Sequence, residues 1–263
     1  MYGLIGKKLS HSFSADFFNR KFRREGIDDI YRLFPIENID LLPSLIAENI
    51  ELKGLNVTIP YKEEVLKFLN FLSPEVKEIG AVNVIKIEKF NPSFFDSTSF
   101  LPNSLTGNHD KTLIGYNTDY IGFRDSLIPL LNKDISNALI LGTGGASKAV
   151  EYALKELGIN SLKVSRHPTS GELGYEELDR KKIEENTLIV NTTPLGMFPD
   201  IDTTPPIPYS FLTPNHICYD LVYNPSETKF LKLCRERGAT VKNGLEMLHL
   251  QAVAAWQIWN GGI

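Results

Sequence analysis

The apolar run Ala138-Leu139-Ile140-Leu141 leads directly into Gly142-Thr143-Gly144-Gly145-Ala146-Ser147, and no other feature limits the fold as strongly. The run reads as a buried strand, and Ala146 to Leu157 continues at helical spacing, so the glycines occupy a strand-to-helix turn. In that setting Gly142 makes the tight turn, and Gly144 lets the backbone approach a pyrophosphate. The helix N-terminus then presents free N–H groups and a positive dipole end to the anion. Ser147 replaces the third glycine of the usual pattern and is small enough for close helix–strand packing. A plain strand-to-helix turn remains the alternative on the glycines alone.

The next strand adds to the argument. Leu162 to Ser165 is followed by Arg166-His167, where an NAD-binding chain would carry Asp or Glu for the ribose hydroxyls. A carboxylate there repels a 2′-phosphate, whereas a guanidinium pairs with it through two hydrogen bonds. The position of Arg166 therefore favours NADP over NAD.

At 263 residues and 42% hydrophobic, the chain is long enough for two domains of ordinary size. Its first part alternates strand and helix signals. Tyr2 to Ile5, Ile30 to Ile36, Leu52 to Thr58 and Ala81 to Ile87 read as strands, and helices are expected around Phe13 to Phe22, Ile39 to Ala47 and Lys62 to Leu69. From Glu88 to Lys111 the pattern dissolves into a long polar connection, read as a surface insertion. Phe94, Phe95 and Phe100 leave open that it forms a lid. Thr112 to Tyr116 resumes as a strand, and the helix after Asn117-Thr118-Asp119 is the candidate crossing between domains. Strands at Thr187 to Asn191 and Ile217 to Leu221 continue the second series, and the helix Leu245 to Trp259 closes the chain. The expected class is α/β, with an N-terminal domain on a mainly parallel sheet and a Rossmann-like second domain.

A formal net charge of -4 offers no basic field for a nucleic-acid backbone. The two cysteines, Cys218 and Cys234, form no zinc-type cluster and read as reduced core residues, so no metal is expected. The start Met1-Tyr2-Gly3-Leu4 has no secretory pattern and no apolar run is long enough to cross a bilayer, which leads us to expect a cytoplasmic protein without a membrane partner.

Three polar clusters fall at the ends of expected strands, where open α/β sheets hold ligands: Ser10-His11-Ser12-Phe13-Ser14, Asn56-Val57-Thr58-Ile59-Pro60-Tyr61-Lys62 and Gly80-Ala81-Val82-Asn83. Together with Gly115-Tyr116-Asn117-Thr118-Asp119, Asn191-Thr192-Thr193-Pro194, Tyr219-Asp220, Asn243-Gly244-Leu245 and Gln251, they resemble the shikimate dehydrogenase family in order along nearly the whole chain. The resemblance implies a substrate domain, residues 1–117 completed by 243–263, and an NADP-binding domain over 118–242. It implies NADPH-dependent reduction of 3-dehydroshikimate to shikimate, on the route to chorismate and the aromatic amino acids. Lys62 and Asp119 are implied as the catalytic pair. Ser12, Ser14, Thr58, Asn83, Tyr223 and Gln251 are implied as substrate contacts. Gly142, Thr143, Gly144, Gly145, Ala146, Ser165, Arg166, Leu221 and Gly244 fall at cofactor positions. The partner is then a small molecule, and the protein a monomer or homodimer.

The chemistry has its own logic. Hydride delivery to a ketone leaves a developing alkoxide that needs a proton donor, which Lys62 can supply. Asp119 would favour the ammonium form by charge pairing, and desolvation would oppose it, so no metal is required. Position alone leaves Lys62 as a solvated side chain on a first helical turn, Asp119 as a helix cap, and Ser12 and Ser14 as caps of the first helix. Four features depart from the family pattern: Ala15 in place of a proline, His167-Pro168-Thr169-Ser170 without a second arginine, the long 88–111 connection, and a C-terminus that stops soon after Trp259. A quinate/shikimate dehydrogenase using NAD, or a non-catalytic ligand-binding relative, are the competing expectations.

Overall fold

A computed structural model describes residues 1–9, 12–90, 110–131 and 135–262, and the chain divides into two units: Met1–Thr118 with Ala252–Ile263, and Asp119–Gln251. Most of the 88–111 connection, including Phe94, Phe95 and Phe100, lies outside the described residues, as do Ser10 and His11.

The first unit is built on β1 (Tyr2–Gly6), α1 (Phe13–Glu25), β2 (Tyr31–Pro35), α2 (Leu42–Glu48), β3 (Gly54–Val57), β4 (Phe71–Leu72), α3 (Pro74–Ile79), β5 (Val84–Lys89) and β6 (Lys111–Tyr116). Its sheet runs β2-β1-β3-β5-β6-β4. β1 is parallel to β2 and β3, and β4 is parallel to β6, but β5 is antiparallel to both its neighbours. β5 and β6 are consecutive and stay paired out to Lys89 and Lys111, with Phe90 N–H bonded to Asp110 O at 2.7 Å.

Alternation along β1 sends its side chains to two cores. Ile5 joins Leu42, Leu55, Val57, Val65 and Ile85 on one face, while Tyr2 and Leu4 join Phe18, Phe22, Tyr31 and the C-terminal Ala252, Ala255 and Trp259 on the other. The Trp259 indole occupies the space a side chain would need at Gly54, and its N–H bonds to Ile85 O at 3.0 Å. α1 buries Phe18 and Phe22 from its four phenylalanines and ends where Gly26 takes φ 65°, its N–H returning to Phe22 O.

One expected helix is corrected. Lys62 to Leu69 forms only a 3-10 turn over Glu64–Phe68, and Lys62 precedes it. The segment must reach β4 three residues later, and β-branched Val65 and aromatic Phe68 favour no longer helix. α3 and β4 were not distinguishable by pattern at their lengths.

The second unit contains α4 (Asp119–Leu127), β7 (Asn137–Leu141), α5 (Gly145–Glu156), β8 (Asn160–Ser165), β9 (Leu173–Gly174), α6 (Arg180–Glu185), β10 (Leu188–Asn191), β11 (Ile217–Asp220), α7 (Lys229–Arg235), β12 (Thr240–Lys242) and α8 (Leu245–Trp259), the last continuing past the division at Gln251. Its sheet is parallel throughout, in the order β12-β11-β10-β7-β8-β9. The chain winds outward from β7 through β8 to β9, then restarts at β10 on the other side. The ends of β7 and β10 therefore form the topological switch point, where sheets of this kind place ligands.

Ala138 and Ile140 of β7 face a core with Phe123, Val150, Leu154 and Tyr219, whereas Leu139 and Leu141 face Val164, Ile183, Cys218 and Phe230. Helix-covered on both faces, these strands are apolar without interruption. The buried Tyr219 hydroxyl meets Ser126 Oγ at 2.7 Å, and Ser126 Oγ also bonds to Phe123 O. Tyr219→Phe keeps the packing and removes this one bond, so urea unfolding should show a loss of about 1 kcal/mol. An unchanged midpoint would mean the bond contributes nothing net. Among the described residues, no helix is long and apolar enough to cross a membrane.

Candidate active site

In the first unit the carboxyl ends of β1 and β3 and the residues before β5 converge through main-chain bonds. Thr58 N–H bonds to Ile5 O (3.0 Å), Val57 N–H to Asn83 O (2.9 Å), and Val82 N–H to Lys62 O (2.8 Å). Thr58 and Lys62, on the segment after β3, thus adjoin Asn83 on the segment before β5, and Lys62 is held by its own carbonyl whatever its side chain does. Thr58 and Lys62 are half-buried, and Asn83 is buried.

Ser12 takes the N-cap position of α1 in extended backbone (φ −139°, ψ 120°), yet its side chain makes no cap bond, so the capping reading does not hold for it. Ser14 is buried one residue into the helix, near the Tyr31 phenol. Tyr31 in turn donates to Asn56 Oδ1 at 2.7 Å, and Asn56 Nδ2 donates to Asn83 O at 3.3 Å. Burial pushes the Tyr31 phenol well above its ordinary range, and the nearby Ser14 hydroxyl opposes that only in part. The line extends from Asn83, whose Nδ2 donates to Thr118 Oγ1 (3.0 Å) and whose Oδ1 accepts Thr118 N–H (2.7 Å). Asn117 Nδ2 bonds to Ala81 O at 2.9 Å. Thr118 is fully buried and is followed in the chain by Asp119, the first residue of α4, itself buried.

In the second unit the turn after β7 has the form its sequence implies. Gly142 takes φ 112°, and a side chain there would sit 2.8 Å from Thr192 Oγ1 and 3.0 Å from Thr193 Cγ2. Only glycine suits both the conformation and the space. Gly144 caps α5 and faces open space, with nothing within 4 Å of where a Cβ would stand. Thr143 is exposed, and Gly145 and Ala146 are half-buried in the first turn of α5. Ser147 is fully buried, with its hydroxyl on Gly144 O at 2.9 Å, so it packs as a small residue and closes the turn from within.

Ser165 ends β8, where its Oγ accepts His167 N–H at 3.2 Å. Arg166 is exposed beside it and forms no ion pair among the described residues. Burial pushes the Tyr175 phenol up, and the Arg166 charge near it pulls the other way. Leu221 N–H bonds to Asn191 O (3.0 Å), and Gly244 N–H bonds to Val222 O (3.2 Å). Gly244 lies so close against the Leu221 carbonyl that no side chain fits there. Tyr223 is 41% exposed, whereas Gln251 is buried on α8 with its Nε2 bonded to Leu248 O at 3.0 Å.

An exposed cation after the second strand, an open glycine-capped helix end and a crowded turn glycine together fit a phosphorylated dinucleotide. Among the described residues, no group of three or more His, Cys, Asp and Glu is placed to hold a metal.

Residues 4–85 match the family model described as the shikimate dehydrogenase substrate binding domain. Over 98% of its length the chain is 38% identical to a shikimate dehydrogenase (NADP(+)) of Clostridium beijerinckii, covering 91% of that protein. The chain belongs to the shikimate dehydrogenase family. Two solved shikimate dehydrogenases share the fold. Shikimate dehydrogenase 1 from Peptoclostridium difficile superposes with a TM-score of 0.78 at 38% identity, covering 100% of this chain and 92% of the other. The Thermus thermophilus shikimate 5-dehydrogenase, solved in complex with NADP(H) and shikimate, gives 0.79 at 29% identity over 99% of this chain and 93% of its own.

Within this shikimate dehydrogenase fold, Tyr31, Asn56, Thr118, Asn191 and Asp220 carry more of the local architecture than sequence reasoning assigned them. Asn56 and Asp220 had one usable signal, since each is a polar residue in an otherwise apolar strand. Tyr31 had none.

Proposed function

We propose that the chain is an NADP-dependent shikimate dehydrogenase that reversibly reduces 3-dehydroshikimate to shikimate, serving the chorismate pathway to the aromatic amino acids. The observation that carries the proposal is the hydrogen-bonded line Tyr31–Asn56–Asn83–Thr118, which ties polar side chains at the strand ends of the first unit to the residue preceding Asp119. Buried polar groups linked in this way have defined directions, which a ring bearing several hydroxyls and a carboxylate requires.

Ser12, Ser14, Thr58, Asn83, Tyr223 and Gln251 hold the ring acid. Gly142, Thr143, Gly144, Gly145 and Ala146 receive the pyrophosphate, Ser165 and Arg166 the 2′-phosphate ribose, and Leu221 and Gly244 the nicotinamide end. When bound, the nicotinamide supplies or accepts the hydride. Lys62 holds a proton on Nζ for the oxygen that gains negative charge, and takes it back in the reverse direction. Asp119 is the second member of the catalytic pair. We place the enzyme in the cytoplasm, in keeping with its buried free thiols Cys218 and Cys234, as a monomer or homodimer.

The test is steady-state kinetics with shikimate or quinate, each paired with NADP+ or NAD+. The highest kcat/KM should fall on shikimate with NADP+. A preference for quinate or for NAD+ would replace this reading with that of a quinate/shikimate dehydrogenase.

A further inference from the structure

Asp220 is fully buried at the end of β11, next to the turns that the cofactor must touch. Its Oδ1 accepts hydrogen bonds from Asn191 Nδ2 (2.9 Å) and Val222 N–H (3.0 Å), and its Oδ2 from Thr228 Oγ1 (2.5 Å). With its amide nitrogen engaged in this way, Asn191 turns its Oδ1 toward Thr193, accepting both the Thr193 N–H (3.0 Å) and its hydroxyl (2.6 Å). Thr192 and Thr193 are the residues that crowd Gly142. On the other side, Val222 passes the connection to Gly244, and Leu221 bonds to Asn191 O. The segments carrying Gly142, Leu221, Gly244 and Tyr223 are all within two hydrogen bonds or two residues of one carboxylate.

We propose that Asp220 is a positioning residue for the cofactor, its ionised carboxylate holding the turns after β7, β10 and β11 in register for binding. The proposal deepens the NADP reading above and rests on it. A neutral carboxyl would put an O–H where Thr228 now donates and would leave Asn191 and Val222 with the weaker bonds of an uncharged acceptor.

The titratable groups that Asp220 acts on are Cys234 of α7, raised first by its hydrogen bond with Cys218, and Tyr209, raised first by burial; the carboxylate adds to both. Among the described residues no cation pairs with it. Burial accordingly pushes Asp220 up to about 6, while its bonds to Thr228, Val222 and Asn191 pull it back only in part. A folded value raised above the ordinary 3.8 means that the native state takes up this proton first as pH falls toward 6. Protonation of Asp220 in that window therefore favours the folded state, and affinity lost there is not unfolding caused by this group.

The experiment measures the NADPH dissociation constant by fluorescence from neutral pH to below pH 6, the region in which Asp220 titrates. Parent affinity should weaken on the acid side, but the 2′-phosphate also titrates at about pH 6, so that limb alone decides nothing. Thr228→Val removes one bond to the carboxylate and should move the limb up by about one pH unit, whereas the phosphate stays where it was. Thr228→Ser restores the hydroxyl and should restore the profile. Asp220→Asn should weaken NADPH binding about tenfold at neutral pH. A limb unmoved in Thr228→Val, or parent-like affinity in Asp220→Asn, would overturn the positioning role. If Asp220→Asn does not fold, the Thr228 pair decides. A parent that binds no NADPH would overturn the NADP reading and this inference with it, whereas a binding parent with an unmoved limb sinks the inference alone.

Discussion

Replacing Lys62 with alanine lowers kcat by about 10²–10⁴-fold, the span associated with loss of a positioned general acid. The fold should survive the change, because the anchoring bond from Val82 goes to the Lys62 carbonyl and not to its side chain. KM for the cofactor should stay near the parent value, since the dinucleotide turn lies in the other unit. Asp119→Asn should also slow turnover, because the amide keeps the size and hydrogen-bonding capacity of the side chain but not its carboxylate. Circular dichroism and cofactor titration alongside the kinetics separate chemistry from folding. Near-normal turnover in Lys62→Ala would remove Lys62 from the mechanism.

Arg166→Ala should weaken NADP+ binding by about ten- to a hundredfold, the equivalent of one charge-assisted hydrogen bond, and leave NAD+ nearly unaffected. Only NADP+ carries the 2′-phosphate that a guanidinium at the end of β8 can reach. The side chain is exposed and has no ion-pair partner among the described residues, so its removal should not disturb stability. Equal losses with both cofactors, measured by fluorescence titration, would assign Arg166 to the fold.

The parts of this protein that were legible in its sequence are those where local chemistry settles the conformation. The glycine turn could be placed because Gly142 needs a backbone conformation and a space that other residues lack. α8 spans Leu245–Trp259, the limits its apolar stripe implies. Residues 138–141 of β7, 188–190 of β10 and 217–219 of β11 are apolar without a break because helices cover both faces of their sheet.

Where tertiary contacts decide, the sequence was mute. Lys62 to Leu69 has the composition of a short helix, yet the need to reach β4 shortens it to a 3-10 turn. Tyr31 looks like an ordinary strand residue, and it meets Asn56 across β1, and Asn56 meets Asn83, only because the sheet orders its strands β2-β1-β3-β5. Asp220 gave a sign as a charge closing an apolar strand, but its partners Asn191 and Thr228 come from different segments. Periodicity reports which face a residue occupies and not which distant group it will meet.

The enzyme assignment is tested most directly by mixing the purified protein with shikimate and NADP+ and following the near-ultraviolet absorbance of NADPH. We expect a steady rise that depends on both reactants, reverses on adding 3-dehydroshikimate, and is nearly abolished in Lys62→Ala. A folded protein that binds NADPH yet produces no absorbance change from shikimate would contradict the assignment and leave the chain as a non-catalytic ligand-binding member of its family.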